Sequence, residues 1–401
     1  MTRRALAASA AATALALALT GCVAKSDLAS AIGVDITDDG CAVAVDTATA
    51  GAVTFALANN GSDVNEFEIL AEDQLRIVGE KENVTPGQNV DFTAQLEPGT
   101  YYTACKFQQV GAPVGLAEFT VTGEASGVSA GEQELADQAV TEYLAYVRSQ
   151  ASELLPLVEA FAAAYAAGDD ETARSLFAAT RVPYERIEPT AEAFGDLDPK
   201  IDFREVDAVA DGLEWTGFHR IEKDLWPPAA GALNSDGQDA LADWAPSTPA
   251  ERQAYADGLV ADVTELHGLV TADDVAVTLD AISNGAIALL DEVAAGKITG
   301  EEDWWSGTDL SDFAANVQGA GVAFGAVRAL AESKGDEGAE LASTIDEEFA
   351  ALEAELAKYG SLDAGFVNYA ELTDADKKAL SDRVNALAEP LSQLTATVLG
   401  V

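Results

Sequence analysis

Histidine is nearly absent from this chain: His219 and His267 are the two present in 401 residues. Methionine occurs once, as the initiator, and cysteine three times, at 22, 41 and 105. A blue-copper electron-transfer centre takes two histidines and a cysteine, usually with a weak methionine. The 218 residues before His219 therefore exclude one. The H-E-x-x-H pattern of zinc proteases is missing too, and with it the second histidine and the adjacent glutamate base. Basic residues are scarce, with 22 Lys and Arg against 69 Asp and Glu and a net charge of −47. Such a chain repels nucleic acid and anionic headgroups and favours cations. What is plentiful is apolar material: 48% of residues are hydrophobic, which argues against disorder, and the length calls for two or more domains.

Arg3 and Arg4 precede an Ala/Leu-rich run from Ala5 to Leu19. The run is too short and too rich in small residues for a stable membrane span, but it suits a signal h-region. It ends in Leu19-Thr20-Gly21-Cys22, which resembles a bacterial lipobox, in which cleavage before Cys22 leaves that cysteine to carry lipid. The expectation is a lipoprotein signal peptide over 1–21, a tether over 22–31, and a mature chain of 20 basic and 69 acidic residues anchored to the bacterial cell membrane on its extracytoplasmic side.

Two grammars follow. From Ile32 to Gly123, Val53-Phe55-Leu57 and Val90-Phe92-Ala94-Leu96 alternate with period two, and Asn59-Asn60-Gly61, Pro86-Gly87 and Pro98-Gly99 mark turns. This predicts a small antiparallel β-sandwich over 32–123, with a Gly/Ser/Ala linker over 124–132. From 133 to 401 the period becomes helical, as in Val140, Leu144, Val147, Ala151, Leu154, Val158, Phe161 and Tyr165, with Pro156 expected to kink or interrupt that helix. Thr248-Pro249-Ala250-Glu251 is a capping box with proline at the first helical position, and Thr373 to Asp376 is a looser version. The fold class is thus multidomain: an all-β sandwich followed by an all-α helical bundle.

The segment LEPGTYYTAC, 96–105, resembles the last strand of a cupredoxin, with alternation placing Tyr101, Thr103, Cys105 and Phe107 on one face. Two readings of Cys41 and Cys105 stand open. In an exported protein they make a disulfide. Alternatively, both thiolates and Glu66 hold copper or another transition metal, Glu68 being one step further along the strand.

In GFHRIEKDLW, 217–226, His219 and Glu222 are spaced i, i+3 and share a helix face, so both can reach one ion. Trp215 and Trp226 flank the segment and Pro227-Pro228 stops it, marks of a buried element; His267 has no such setting. Further ligands must come from elsewhere: Glu185, Glu188, Asp236 and the Glu301-Glu302-Asp303 run are at hand. One imidazole among carboxylates suits iron better than copper or a structural zinc.

GFHRIEKDLW, YERIEPTAEAFGDLDPKIDFRE (184–205) and NGAIALLDEVAAGKITGEEDWWSGTDLSDF (284–313) resemble the EfeO family, the extracytoplasmic component of the EfeUOB iron-uptake system. The resemblance implies a cupredoxin-like domain joined to an imelysin-like helical domain carrying H-x-x-E. By it, His219 and Glu222 match the metal-binding motif, and Cys41, Glu66 and Cys105 match a site in the cupredoxin-like domain. Asp236 and Glu301 are the choices to complete the helical site, with Glu302 the neighbouring alternative. It also implies iron (Fe2+ or Fe3+) as cargo and a ferrous permease and haem peroxidase as partners; copper stands as one ion for the cysteine site from its ligand chemistry, and the acidic charge leaves no nucleic acid among the partners. The rival readings are a metal-dependent peptidase and a metal-dependent polysaccharide or cell-surface binding protein.

Overall fold

The computed structural model describes residues 31–108, 111–124, 129–242, 244–273 and 275–401. The expected signal segment and Cys22 lie outside them.

The period-two segments form nine strands: β1 (Ile32–Thr37), β2 (Gly40–Val43), β3 (Thr47–Thr49), β4 (Gly51–Asn59), β5 (Asn65–Leu70), β6 (Ile77–Val84), β7 (Asn89–Leu96), β8 (Gly99–Phe107) and β9 (Val114–Thr122). They make two sheets, ordered β2-β1-β4-β7 and β3-β9-β8-β5-β6. Val53, Phe55 and Leu57 point into the space between the sheets, where Phe55 packs on Phe67 and Phe119 at ring separations of 5.3 and 5.5 Å. The sandwich is not purely antiparallel, because β1 runs parallel to β4 and β3 parallel to β9. Alternation carries no information on this point, since a strand buries the same face whichever way its neighbour runs.

Among the described residues twelve α-helices follow: α1 (Ala130–Ala167), α2 (Asp170–Glu185), α3 (Glu188–Glu192), α4 (Leu197–Ile201), α5 (Glu205–Asp211), α6 (Gly217–Leu225), α7 (Pro249–Thr271), α8 (Leu279–Glu292), α9 (Asp309–Glu332), α10 (Asp336–Leu356), α11 (Asp374–Leu391) and α12 (Leu394–Leu399). The first starts inside the expected linker, where Ser129 and Glu132 close a reciprocal capping box. It also runs through Pro156 without ending. Proline removes one backbone hydrogen bond there, but Val147, Ala151, Leu154, Val158 and Phe161 are buried against α2, α7 and α9 on both sides of it. Capping boxes at Thr248 and Thr373 start α7 and α11 as the sequence indicates. No helix among the described residues is long and apolar enough to cross a membrane.

The sandwich and the helices pack together. Lys81 of β6 ion-pairs with Asp291 of α8, Asp280 accepts from the Gln95 amide at 2.7 Å, and Asn284 donates to the Thr93 carbonyl at 2.9 Å.

Candidate metal centre

α6 carries the H-x-x-E pair and is buried on all sides. It begins at Gly217, whose φ of 78° and missing Cβ let it lie against the Ile201 carbonyl at the end of α4; any side chain would overlap that oxygen. Trp215 donates to the Phe203 carbonyl at 2.8 Å, and Trp226 packs edge-on against Phe177 at 5.5 Å. Held this way, His219 is 1% exposed.

Both imidazole nitrogens face carboxylates. Nδ1 lies 3.2 Å from Glu222 Oε2 and 3.8 Å from Asp303 Oδ1; Nε2 lies 3.4 Å from both Asp202 Oδ1 and Glu302 Oε1. Two sets of potential ligands result, Asp202-His219-Glu302 and His219-Glu222-Asp303, each with donor atoms within 4.8 Å of one another. The other oxygen of Glu222 accepts from the Trp305 and Ser306 amides at 3.0 and 2.7 Å, which fixes the carboxylate. Among the described residues His219 Nε2 and Asp303 Oδ1 have no hydrogen-bond partner although both are buried. Beside them a crevice of about 20 Å³, lined by His219, Glu222, Glu302 and three tryptophans, has the size for one ion or water.

Burial and the Arg181 guanidinium work against a charged His219, but Glu222, Glu302 and Asp202 outweigh them and push the imidazole up to about 10. Burial alone would raise the Glu302 carboxyl, yet Lys297 and His219 hold it well below the usual range. Burial keeps Asp303 well above its ordinary value despite Arg181. Lys297 reaches this cluster because α8 ends in a π-helical turn, Val293–Lys297. Its ammonium is fully buried, 3.1 Å from Glu185 and 3.2 Å from Glu188. These two acids therefore back the site without contacting the histidine.

The structure places the expected further ligands as follows. Asp236 is exposed on a turn, accepting from the Gln238 amide at 2.9 Å, and joins neither cluster. Glu301 lies at the crevice rim, 45% exposed and 4.0 Å from Arg204; its neighbours Glu302 and Asp303 point inward instead. Nothing local in KITGEEDWWSG separates these three, because the segment is a loop without period. Asp202 had no signal of its own. Arg181 did: Phe177, Arg181 and Tyr184 fall at i, i+4 and i+7 on the buried face of α2, an odd place for a scarce basic residue. His267 is half-buried on α7, near Ser152, and away from both clusters.

In the sandwich, Cys41 and Cys105 form a disulfide with Cα atoms 5.9 Å apart. This corrects the expected Cys41-Glu66-Cys105 metal site, copper included. Each sulfur is taken by the other, and Glu66 is on the opposite face of the sheet: Cys105 pairs across the strands with Phe67 and enters the core, while Glu66 pairs with Lys106. Glu66 instead comes within ligand distance of Glu68 and Glu80. Burial and the Glu66 charge raise the Glu68 carboxyl to about 9.

A sandwich joined to a helical domain with a buried histidine among carboxylates defines the class of protein. Residues 139–394 match the family model for imelysin and residues 9–115 that for a cupredoxin-like domain. Over 374 residues, 92% of each chain, the sequence is 38% identical to the iron uptake system component EfeO of Escherichia coli (strain K12), and equally to that of Escherichia coli O6:H1. The chain belongs to the EfeO family of iron uptake system components. An imelysin-like protein from Psychrobacter arcticum aligns with 98% of its chain and 69% of this one, at 11% identity and a TM-score of 0.44.

Proposed function

We propose that this chain is an extracytoplasmic, lipid-anchored iron carrier that captures iron at His219 and passes it to a membrane permease. It acts as a carrier and not as an enzyme. The observation that carries the reading is the convergence of one unpartnered imidazole nitrogen and carboxylates from separate segments on one buried point. Oxygen donors with a single imidazole suit iron, and the relatives at 38% identity are named as iron uptake components. In this reading Glu222 holds His219 through Nδ1, while Nε2, Asp202 and Glu302 meet the ion. Carboxylates orient metal-binding histidines in this way. The anchor is the lipid on Cys22, and the resemblance points to a ferrous permease and a haem peroxidase as partners.

Titration of iron into the full chain tests the centre. His219→Ala and Glu302→Gln should each weaken binding at least about tenfold, as should Glu222→Gln through loss of orientation. His267→Ala should leave it unchanged. Unaltered affinity in both His219→Ala and Glu302→Gln, with helical content retained, refutes the reading. For the anchor, Cys22→Ala should move the protein from the membrane fraction to the soluble one in a host that processes lipoproteins.

A further inference from the structure

A cavity of about 640 Å³ lies between the outer face of β5 and β6 and the helices α3 to α5, and fifteen acidic side chains line it against three basic ones. Such a lining favours a cationic occupant. On the sandwich side, Glu68 and Glu80 stand directly opposite each other across the antiparallel β5-β6 pair, and Glu66 lies two residues along on the same face as Glu68. Like charges in such a pair destabilise a sheet. Glu66 and Glu68 are 4% and 3% exposed, and Glu68 Oε2 has no hydrogen-bond partner among the described residues. One oxygen from each of the three lies within 4.8 Å of the others. Lys106 pairs across from Glu66, and its ammonium is 5.7 Å from the centre of the Phe203 ring, so one basic group stands beside three carboxyl groups.

We propose that Glu66, Glu68 and Glu80 form a second cation site, all oxygen and suited to a hard polyvalent ion, inside the cavity that the sandwich and the helical domain close together. Carboxylates alone select hard ions over soft ones. The far wall of the cavity includes Asp202 and Glu302, the two residues 3.4 Å from His219 Nε2. An ion held on the sheet thus has a carboxylate-lined route to His219. That onward step rests on the carrier reading; the site itself does not.

Equilibrium dialysis of the full chain against Mn(II) tests it. Wild type should bind two ions. Glu68→Gln with Glu80→Gln should weaken one of them at least about tenfold while the other stays within about twofold, as for independent sites. His219→Ala should do the converse. The glutamines are nearly isosteric with the carboxyl groups they replace, so the variant should keep its fold, checked by far-UV circular dichroism; Glu66→Gln alone gives a second, independent reading. One ion in wild type, lost in His219→Ala, overturns this site and leaves the carrier reading intact. One ion lost in Glu68→Gln with Glu80→Gln supports this site and overturns the carrier reading. Several weak ions unaffected by any of these substitutions overturn it.

Discussion

Arg181 explains how so many acids can be buried around one histidine. Its guanidinium reaches Asp202, Glu185 at 2.5 Å, Asp312 at 2.9 Å, Glu302 at 3.5 Å and Asp303 at 3.8 Å. Burial disfavours its charge, yet Asp202 and Asp312 hold the guanidinium well above its ordinary value. It acts as a resident cation that keeps the carboxylates aimed inward. Arg181→Gln should therefore destabilise the metal-free protein by about 3–5 kcal/mol, the usual result of stranding buried charges. Added Mn(II) should restore part of that loss by binding the folded state alone. Urea unfolding with chelator and with metal checks both. A loss under about 1 kcal/mol would mean the carboxylates do not depend on Arg181.

The helical elements at the site are short, and their placement depends on close approaches. α6 has nine residues, too few to be stable alone. Gly217 lets its first turn touch the end of α4, and the Trp305 and Ser306 amides hold its Glu222. Gly217→Ala adds a methyl where the Ile201 carbonyl stands, at a φ of 78° that disfavours any side chain. The cost should exceed about 1 kcal/mol, and iron affinity should fall with it because His219 rides on this helix. Urea unfolding and iron titration of the same variant measure the two effects together; unchanged values in both would show that the α4-α6 contact is slack. The π turn after α8 works similarly, since it swings Lys297 into the acid cluster.

Across the whole molecule, the acids make the metal-free protein sensitive to rising pH. Glu68 titrates in the folded state at about 9, and Asp198 and Asp309 at about 7, each raised chiefly by burial. Unfolded, they titrate near 4. Between about pH 4 and 9 the unfolded chain has thus released protons that the folded chain still holds, and stability falls as pH rises. His219 has the same sign: raised to about 10, it contributes stability fully below about pH 6.5 and loses it as pH climbs toward 10. Glu302, held low, acts oppositely but only below its unfolded value. In chelator, the urea midpoint should decline from pH 5 to pH 10. With Mn(II) the decline should flatten, because metal takes the place of the protons. A rising profile in chelator would contradict the burial of these groups.

The order of the two domains, the caps at Thr248 and Thr373, and the shared face of His219 and Glu222 could be read from the sequence because each depends on neighbours within a turn or a strand. The tertiary structure decided which distant groups meet. With 69 acidic residues, no spacing rule could select Asp202, Glu302 and Asp303 over Asp236 and Glu301. Strand register, a non-local pairing, turned Glu66 away from Cys105 and toward Glu80, and set β1 parallel to β4. Packing on α2, α7 and α9 carried α1 past Pro156. The acidic cavity belongs to neither domain alone, since each supplies one wall and only their packing together encloses it.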